Sequence, residues 1–249
     1  MLGGVLGAIL GLGGGVIMLP ALEMLLHYDA AMMVGTTMLA VVFTSAGGAW
    51  GHFRNGNVLW REGLIVGGGG LLGMVLGSWI FKHYMSSDTN LIFVLLGILF
   101  LFMTLKMGRE AWQEWSAKGE TAAVLDESPT LSAGRVAALM LLGLLTGIFS
   151  GMLGVGGGWI LVPGIIMIAR LSPHKAVGTT MLAMLPIAIL GASIKLAQGF
   201  VVWPDGLFLG LGALIGAQLG ARVSNRIPSK VMKLLFSVLF LLLAVKYIL

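Results

Sequence analysis

The sequence predicts an all-α, polytopic membrane protein built from two similar halves. Three observations support this fold class: a very apolar composition, a series of apolar segments long enough to cross a bilayer, and an internal repeat. Hydrophobic residues occupy 58% of the 249 positions and charged residues only 10%, with a mean hydropathy of +1.01. Soluble domains carry about 25% charged residues, because their surface needs polar groups. Lipid must therefore cover much of this chain.

The apolar residues fall into eight segments, four on each side of a polar stretch. A helix needs roughly 20 apolar residues to cross about 30 Å of hydrocarbon. Helices are expected because lipid cannot satisfy an open sheet edge, and the alternating strands typical of an outer-membrane barrel are absent from the sequence. The segments comprise residues 1–26, 31–51, 62–81, 89–107, 134–169, 175–198, 205–222 and 230–248.

A repeat with a constant offset of 143 residues links the two sets of segments. The stretch GLGGGVIMLP at residues 11–20 matches GVGGGWILVP at 154–163 at six of ten positions, and VGTTMLA at 34–40 recurs unchanged at 177–183. Trp60 and Trp203 match at the same offset. Because the register holds over about 75 residues without a gap, the repeat indicates two homologous halves.

The repeat also defines the domain organisation. Residues 1–108 form membrane repeat A and residues 134–249 form membrane repeat B, while residues 109–133 are polar and charged and form a linker. Repeat A begins at the equivalent of Leu144, so it lacks about ten residues that repeat B has at its start. Each repeat thus contains four segments.

Positive charges distinguish a parallel from an inverted arrangement of the halves. If all eight segments cross once, Arg and Lys divide 8 to 7 between the two sides. If the first segment of each half enters the bilayer and returns, the halves are inverted and the same residues divide 12 to 3. Inner-membrane proteins concentrate Lys and Arg in cytoplasmic loops. The sequence therefore favours inverted repeats, with a broken or re-entrant first segment in each half and a cytoplasmic linker.

The glycine run near the start of each half is the first candidate binding element. Each glycine weakens a helix by about 1 kcal/mol, so four glycines in five positions should interrupt it. The interruption exposes N–H groups, and the N-terminus of the following helix favours anions. Close helix packing is the alternative role for such glycines. The candidate substrate-binding glycines are Gly13, Gly14, Gly15, Gly156, Gly157 and Gly158.

Two threonine pairs, in the repeated sequence Gly-Thr-Thr, open the second segment of each half. Their hydroxyl groups can donate hydrogen bonds to an oxyanion without a fixed charge. A threonine can equally cap a helix or bond to the preceding turn, and duplication together with the glycine run is what favours binding. The candidate substrate-binding threonines are Thr36, Thr37, Thr179 and Thr180.

His52 and Lys195 occupy matching positions near the ends of long apolar segments. Side chains placed there often extend to the membrane interface, and an interfacial location is the favoured interpretation. A gating or vestibule contact to an anion is the alternative, because ionisable groups at membrane depth usually serve a function.

Several chemistries lack the residues that they need. The chain has no cysteine, and its four histidines are scattered without the spacing of metal ligands. No histidine can be assigned to Ser150 as the base of a hydrolase. We therefore predict no enzyme activity, no metal, no cofactor and no nucleic-acid partner. The predicted partners are a small anion and the lipid bilayer, and a homo-oligomer is left open.

These motifs together resemble the TauE/SafE sulfite exporter family, whose members are also described as probable membrane transporter proteins. The resemblance rests on the two glycine runs, the Gly-Thr-Thr elements and the sequence His-Phe-Arg-Asn-Gly-Asn-Val-Leu-Trp at residues 52–60. It covers essentially the whole chain and implies transport of sulfur-containing anions across a bacterial or archaeal cell membrane. The second half departs from the first at Lys195 and at residues 200–203, so a strictly symmetric site is not implied.

The sequence thus predicts a secondary carrier for a small sulfur-containing anion such as sulfite or an organosulfonate. The anion would bind between the two glycine runs, to backbone N–H groups and threonine hydroxyls. A passive anion channel and a non-transporting membrane scaffold are the alternatives. The expected location is the inner membrane of a bacterium or archaeon, with multiple membrane crossings.

Overall fold

The computed structural model describes residues 1–86, 89–116 and 132–224, with isolated positions between 234 and 245. Within these ranges the chain is helical and contains no strand, which confirms the all-α fold class. A π-helical turn, Phe81–Met85, extends α4. The α-helices are α1 (Leu2–Leu10), α2 (Gly15–Leu26), α3 (Ala30–Arg54), α4 (Trp60–Ile80), α5 (Thr89–Ser116), α6 (Ala133–Leu153), α7 (Gly158–Ala169), α8 (Pro173–Ala197) and α9 (Trp203–Ser224).

Five of the described helices are long and apolar enough to cross a membrane, which agrees with a multi-pass membrane protein. They are α3, α4 with its π-helical turn, α6, α8 and α9. The predicted linker at 109–133 overlaps α5, which continues to Ser116, and residues 117–131 lie outside the described residues. Most of the predicted last segment, 230–248, lies outside them as well. The assignment of these two regions stays a prediction.

The chain divides into two compact units. The first comprises Met1–Ser87 with Leu125–Asn225, and the second comprises Asp88–Val124 with Arg226–Leu249. Within the second unit, the rings of Phe100 and Phe240 stack with their centroids 6.0 Å apart, and the Ser237 hydroxyl donates to the Thr104 carbonyl. All candidate site residues belong to the first unit.

Both glycine runs interrupt their helices, and backbone conformation explains why. Gly11, Gly13 and Gly14 have φ values of 73°, 76° and 73°, in the left-handed region that only glycine adopts readily. The glycines at 154, 156 and 157 repeat this pattern with φ values of 69°, 86° and 73°. The chain therefore leaves α1 and α6, makes a short loop, and starts α2 and α7 in new directions.

The long helices α3 and α8 pack against each other in opposite directions. Near the start of α3, Gly35 lies against the backbone of Phe200, which follows the end of α8. Near the start of α8, Gly178 lies against the backbone of Asn57, which follows the end of α3. Residues 35 and 178 are repeat equivalents, as are 57 and 200. Each half therefore makes the same contact with the other half, through equivalent residues. Reciprocal contacts of this kind arise from a twofold relation.

The remaining helices form two further reciprocal pairs through stripes of small residues. On α4, Gly73 and Gly77 lie against the backbones of Leu144 and Ile148 of α6. On α9, the equivalent glycines at 216 and 220 lie against Met1 and Val5, at the start of α1. Glycine has no side chain to hold the backbones apart, so each pair of helices approaches closely. These two pairs enclose α3 and α8 and the glycine breaks beside them.

Candidate functional site

The two glycine breaks meet at the centre of the first unit. A β-carbon added at Gly15 would lie 3.0 Å from the backbone of Val155, and one added at Gly158 would lie 2.8 Å from the Cα of Leu12. Residues 11–15 and 154–158 are all buried. The N-termini of α2 and α7 therefore lie next to each other, away from the surface. We call this region the central junction.

The backbone of the central junction carries hydrogen-bond donors without acceptors. The N–H groups of Ile17 and Met18 bond to the carbonyl of Gly14, and the first turn of α7 repeats this pattern on Gly157. The N–H groups of residues 13–15 and 156–158 have no acceptor among the described residues. Such unpaired N–H groups at a helix start, together with the positive end of the helix dipole, favour a bound anion.

The helix of one half flanks the break of the other. Val177 of α8 contacts Gly11, and Met184 of α8 contacts Gly13. Thr180 follows Val177 by three positions and precedes Met184 by four, so the three side chains share one face of the helix. Thr180 of the second half thus faces the first glycine break.

The reciprocal arrangement places Thr37 of the first half beside the second break. Val34 contacts Gly154 and Val41 contacts Gly156, and Thr37 lies between these two valines on the same face of α3. Thr37 and Thr180 are fully buried, and neither hydroxyl has a hydrogen-bond partner among the described residues. A buried hydroxyl without a partner costs about 1–3 kcal/mol, so a ligand at the junction would relieve this cost.

The other threonine of each pair has a different position. The Thr36 hydroxyl oxygen accepts a hydrogen bond from the N–H of Val202 at 3.0 Å, and Thr179 accepts one from the N–H of Leu59 at 3.1 Å. These bonds attach the start of each long helix to the loop that follows the other. The four predicted threonines therefore divide into two that face the junction and two that fasten loops.

Ser150 and Met184, which the sequence did not single out for binding, also reach the junction. Ser150 is buried, its hydroxyl has no partner among the described residues, and its Cβ lies 3.6 Å from where Gly157 would carry one. The terminal methyl of Met184 lies between the breaks, in contact with the Cβ positions of both Gly13 and Gly156. The only sequence signal for Ser150 was a polar residue four positions before the second glycine run.

His52 and Lys195 are both fully buried, so the structure does not place them at an exposed interface. The His52 Nε2 lies 2.9 Å from the Ala8 carbonyl, at the end of α1. The Lys195 ammonium has no hydrogen-bond partner among the described residues and lies 3.1 Å from the ring centroid of Phe81, where α4 becomes π-helical. Because α3 and α8 are antiparallel, the two side chains lie on opposite sides of the junction. Their gating or vestibule role stays a prediction.

A family model described as "Sulfite exporter TauE/SafE" matches residues 1–247. The chain belongs to the TauE/SafE sulfite exporter family. This confirms the family that the motifs resembled, and it makes the chain a member of a family of membrane transporters.

Relatives in bacteria are named as transporters too. The probable membrane transporter protein YdhB of Bacillus subtilis is 32% identical over 208 residues, which cover 81% of this chain and 77% of the relative. YunE of the same organism, named in the same way, is 24% identical over 222 residues, covering 86% and 81%. A probable membrane transporter protein of Xylella fastidiosa is 30% identical over 186 residues, covering 73% and 67%. No solved structure matches the chain significantly.

Proposed function

We propose that the protein is a secondary carrier that binds a small sulfur-containing anion, such as sulfite or an organosulfonate, at the central junction. One observation carries the proposal: two pseudo-symmetric sets of buried donors have no acceptor within the part of the chain that the structure describes. The sets are the N–H groups of residues 13–15 with the hydroxyl of Thr180, and those of residues 156–158 with the hydroxyl of Thr37. An oxyanion offers several acceptor oxygens at once. Membership of a sulfite exporter family supports the choice of a sulfur oxyanion.

The donors at the junction are neutral, which suits a transported rather than a permanently bound ion. Helix N-termini and hydroxyl groups attract an anion. The side chains described above as contacting the glycines of the two breaks include no arginine or lysine. Binding should therefore be weak, with a dissociation constant between about 1 mM and 1 μM, or roughly −4 to −8 kcal/mol. An ion held this weakly can leave on either side.

The antiparallel course of α3 and α8 supports an inverted-topology transporter. If both helices cross the bilayer, the axis that relates the halves lies in the membrane plane, as in carriers that bind substrate at the interface of inverted repeats. Arg54 and Arg222 line one pocket. If the two halves were parallel, these arginines would lie on opposite sides of the membrane. Their proximity supports the 12 to 3 division of positive charge and a cytoplasmic location for this end in a bacterial or archaeal inner membrane.

Burial of the junction favours a carrier over a channel. Residues 11–15 and 154–158 are buried, and the Met184 methyl lies between the two breaks. An anion can reach the donors only if helices move, which is how alternating access works. A passive channel predicts flux that rises linearly with anion concentration, and a non-transporting scaffold predicts none. Saturable flux with counterflow is expected of a carrier.

The test is anion uptake by proteoliposomes that contain the double variant Thr37→Val, Thr180→Val. Valine has nearly the same shape as threonine, so the variant should fold, yet it lacks both hydroxyl donors. We expect uptake of radiolabelled sulfite to fall to the level of empty vesicles. Thr44→Val is the matched control, because Thr44 is also buried on α3 but donates its hydroxyl to the Ala40 carbonyl of its own helix. Unchanged saturable uptake by the double variant would refute the proposed site.

A further inference from the structure

A polar pocket of about 170 Å³ lies between the C-terminal turns of α3 and α9, away from the central junction. The first-half helix α3 and the residue that follows it contribute four of the six lining residues, and α9 contributes two. The lining residues are Trp50, Gly51, Arg54, Asn55, Gln218 and Arg222.

Close packing brings the two arginines to this pocket. Gly51 of α3 lies against Ala221 of α9, with 2.6 Å between the Ala221 Cβ and the position where Gly51 would carry its own. The Asn55 side-chain amide donates to the Ala221 carbonyl at 2.9 Å, which joins the helix ends. Arg54 and Arg222 each lie within three residues of this contact, so their side chains reach the same opening.

The chemistry of the pocket suits a phosphate group. Guanidinium groups bind phosphate oxygens through paired, charge-assisted hydrogen bonds. No carboxylate is among the residues that line the pocket. The Gln218 amide provides a further donor.

The surroundings of the pocket are those of a membrane interface. Trp50, Phe53 and Trp60 are exposed. The Phe53 ring contacts both tryptophans, with its centroid 6.0 Å from that of Trp50 and 5.6 Å from that of Trp60. Aromatic side chains concentrate at the level of lipid headgroups. On α9, Leu219 and Val223 are also exposed and flank Arg222. Apolar surface for acyl chains thus lies beside a cationic pocket.

The polar residues that give this pocket its chemistry are not repeated at the equivalent positions of the other half. The repeat equivalents of Arg54, Arg222 and Gln218 are Ala197, Trp79 and Val75, which have no cationic or amide group. The twofold relation places those equivalents at the opposite end of α3 and α8. A ligand of this pocket therefore comes from one leaflet, the one at the end of the molecule that carries Arg54 and Arg222, which we call the Arg-rich end. Anionic lipids in a leaflet attract basic side chains of this kind.

We propose that this pocket binds the phosphate of an anionic phospholipid from the leaflet at the Arg-rich end of the molecule. The paired guanidinium groups hold the phosphodiester, and the exposed aromatic and aliphatic side chains contact the glycerol and acyl chains. This binding is separate from anion transport at the central junction and does not depend on it.

The test measures thermal unfolding of the full-length, delipidated protein in detergent while phosphatidylglycerol is added. The wild-type protein should be stabilised, because a ligand that binds only the folded state raises the unfolding temperature. In the double variant Arg54→Gln, Arg222→Gln, the apparent affinity for phosphatidylglycerol should fall about tenfold or more. Arg54→Lys with Arg222→Lys keeps both charges and should give an intermediate affinity.

A charge-matched control separates the pocket from general electrostatics. Arg61→Gln with Arg170→Gln removes two exposed charges, from the start of α4 and the end of α7, that do not line the pocket. This variant should respond to phosphatidylglycerol like the wild type. The proposal would be overturned if the control lost as much affinity for phosphatidylglycerol as the pocket variants, or if the pocket variants responded like the wild type. Stabilisation of the wild type by phosphatidylcholine to the same extent as by phosphatidylglycerol would also overturn it. Arginine-dependent stabilisation by inorganic phosphate or sulfite without lipid would assign the pocket to a soluble oxyanion instead.

Discussion

The two halves have the same backbone arrangement at the central junction, but their side chains differ towards the ends of the long helices. At the junction, Thr37 and Thr180 have equivalent positions, and neither hydroxyl has a hydrogen-bond partner in the described ranges. Away from it, His52 bonds to the Ala8 carbonyl of α1, whereas the ammonium of its repeat equivalent Lys195 lies over the Phe81 ring and has no hydrogen-bond partner among the described residues. The arginine pocket lies where the ends of α3 and α9 meet, and the equivalents of its two arginines are Ala197 and Trp79.

A carrier makes one demand on its binding site and another on the paths that connect the site to the two sides of the membrane. A carrier that works by exchanging the conformations of two inverted halves requires the same site contacts from each half. The paths to the two sides can differ, because each opens to a different solution and a different leaflet. Under the proposed function, the geometry shared by both halves at the centre serves binding, and the differing ends serve the two paths to the site.

The largest expected effect comes from adding a methyl group where the breaks meet. The β-carbon of Gly158→Ala would overlap the Gly11 carbonyl, whereas that of Gly15→Ala would make a tight contact with Val155. We expect Gly158→Ala to cost about 3 kcal/mol or more and Gly15→Ala less, because both meet backbone but the added methyl group comes much closer to it at Gly158. Gly68→Ala, on an open face of α4, should be neutral or stabilising by about 1 kcal/mol. Unfolding in a denaturing detergent titration measures all three, and equal stability of all three would contradict the contact between the breaks.

Opposite changes in stability are expected from replacing the two buried ionisable side chains, Lys195 and His52. Lys195→Met removes an ammonium that has no hydrogen-bond partner among the described residues, and should raise stability by about 1–3 kcal/mol. His52→Leu removes the bond to Ala8 and should lower it by about 1–3 kcal/mol. Thermal unfolding of the two variants side by side gives the signs. A loss of stability in both would mean that Lys195 has a partner in the folded protein.

Small and equal losses of stability are expected from replacing Thr36 and Thr179, whose hydroxyl groups hold the loops. Thr36→Val and Thr179→Val each leave one loop N–H, of Val202 or Leu59, without its acceptor. Each change should destabilise the protein by about 1 kcal/mol, and saturable uptake should persist. Thermal unfolding and uptake assays on each single variant check this. Clearly unequal losses would contradict the twofold relation at these loops.

Sequence alone predicted the helical class, the repeat and the interruption at both glycine runs, because each depends on composition or on local backbone preference. It did not distinguish Thr37 from Thr36, since that difference depends on which face of α3 meets the opposite half. It favoured an interfacial Lys195, because the sequence cannot show that the turn around Phe81 covers this side chain. The arginine pocket was also missed, since Arg54 and Arg222 are far apart in sequence and meet only through helix packing.

The most direct measurement is the anomalous scattering of selenium in crystals of the protein soaked with selenite, the heavier analogue of sulfite. A peak within about 4 Å of the N–H groups of residues 13–15 or 156–158 is the predicted result, given hydrogen-bond lengths near 3 Å. A peak at the Lys195 ammonium instead, or an empty junction in protein shown to transport selenite, would contradict binding between the glycine breaks.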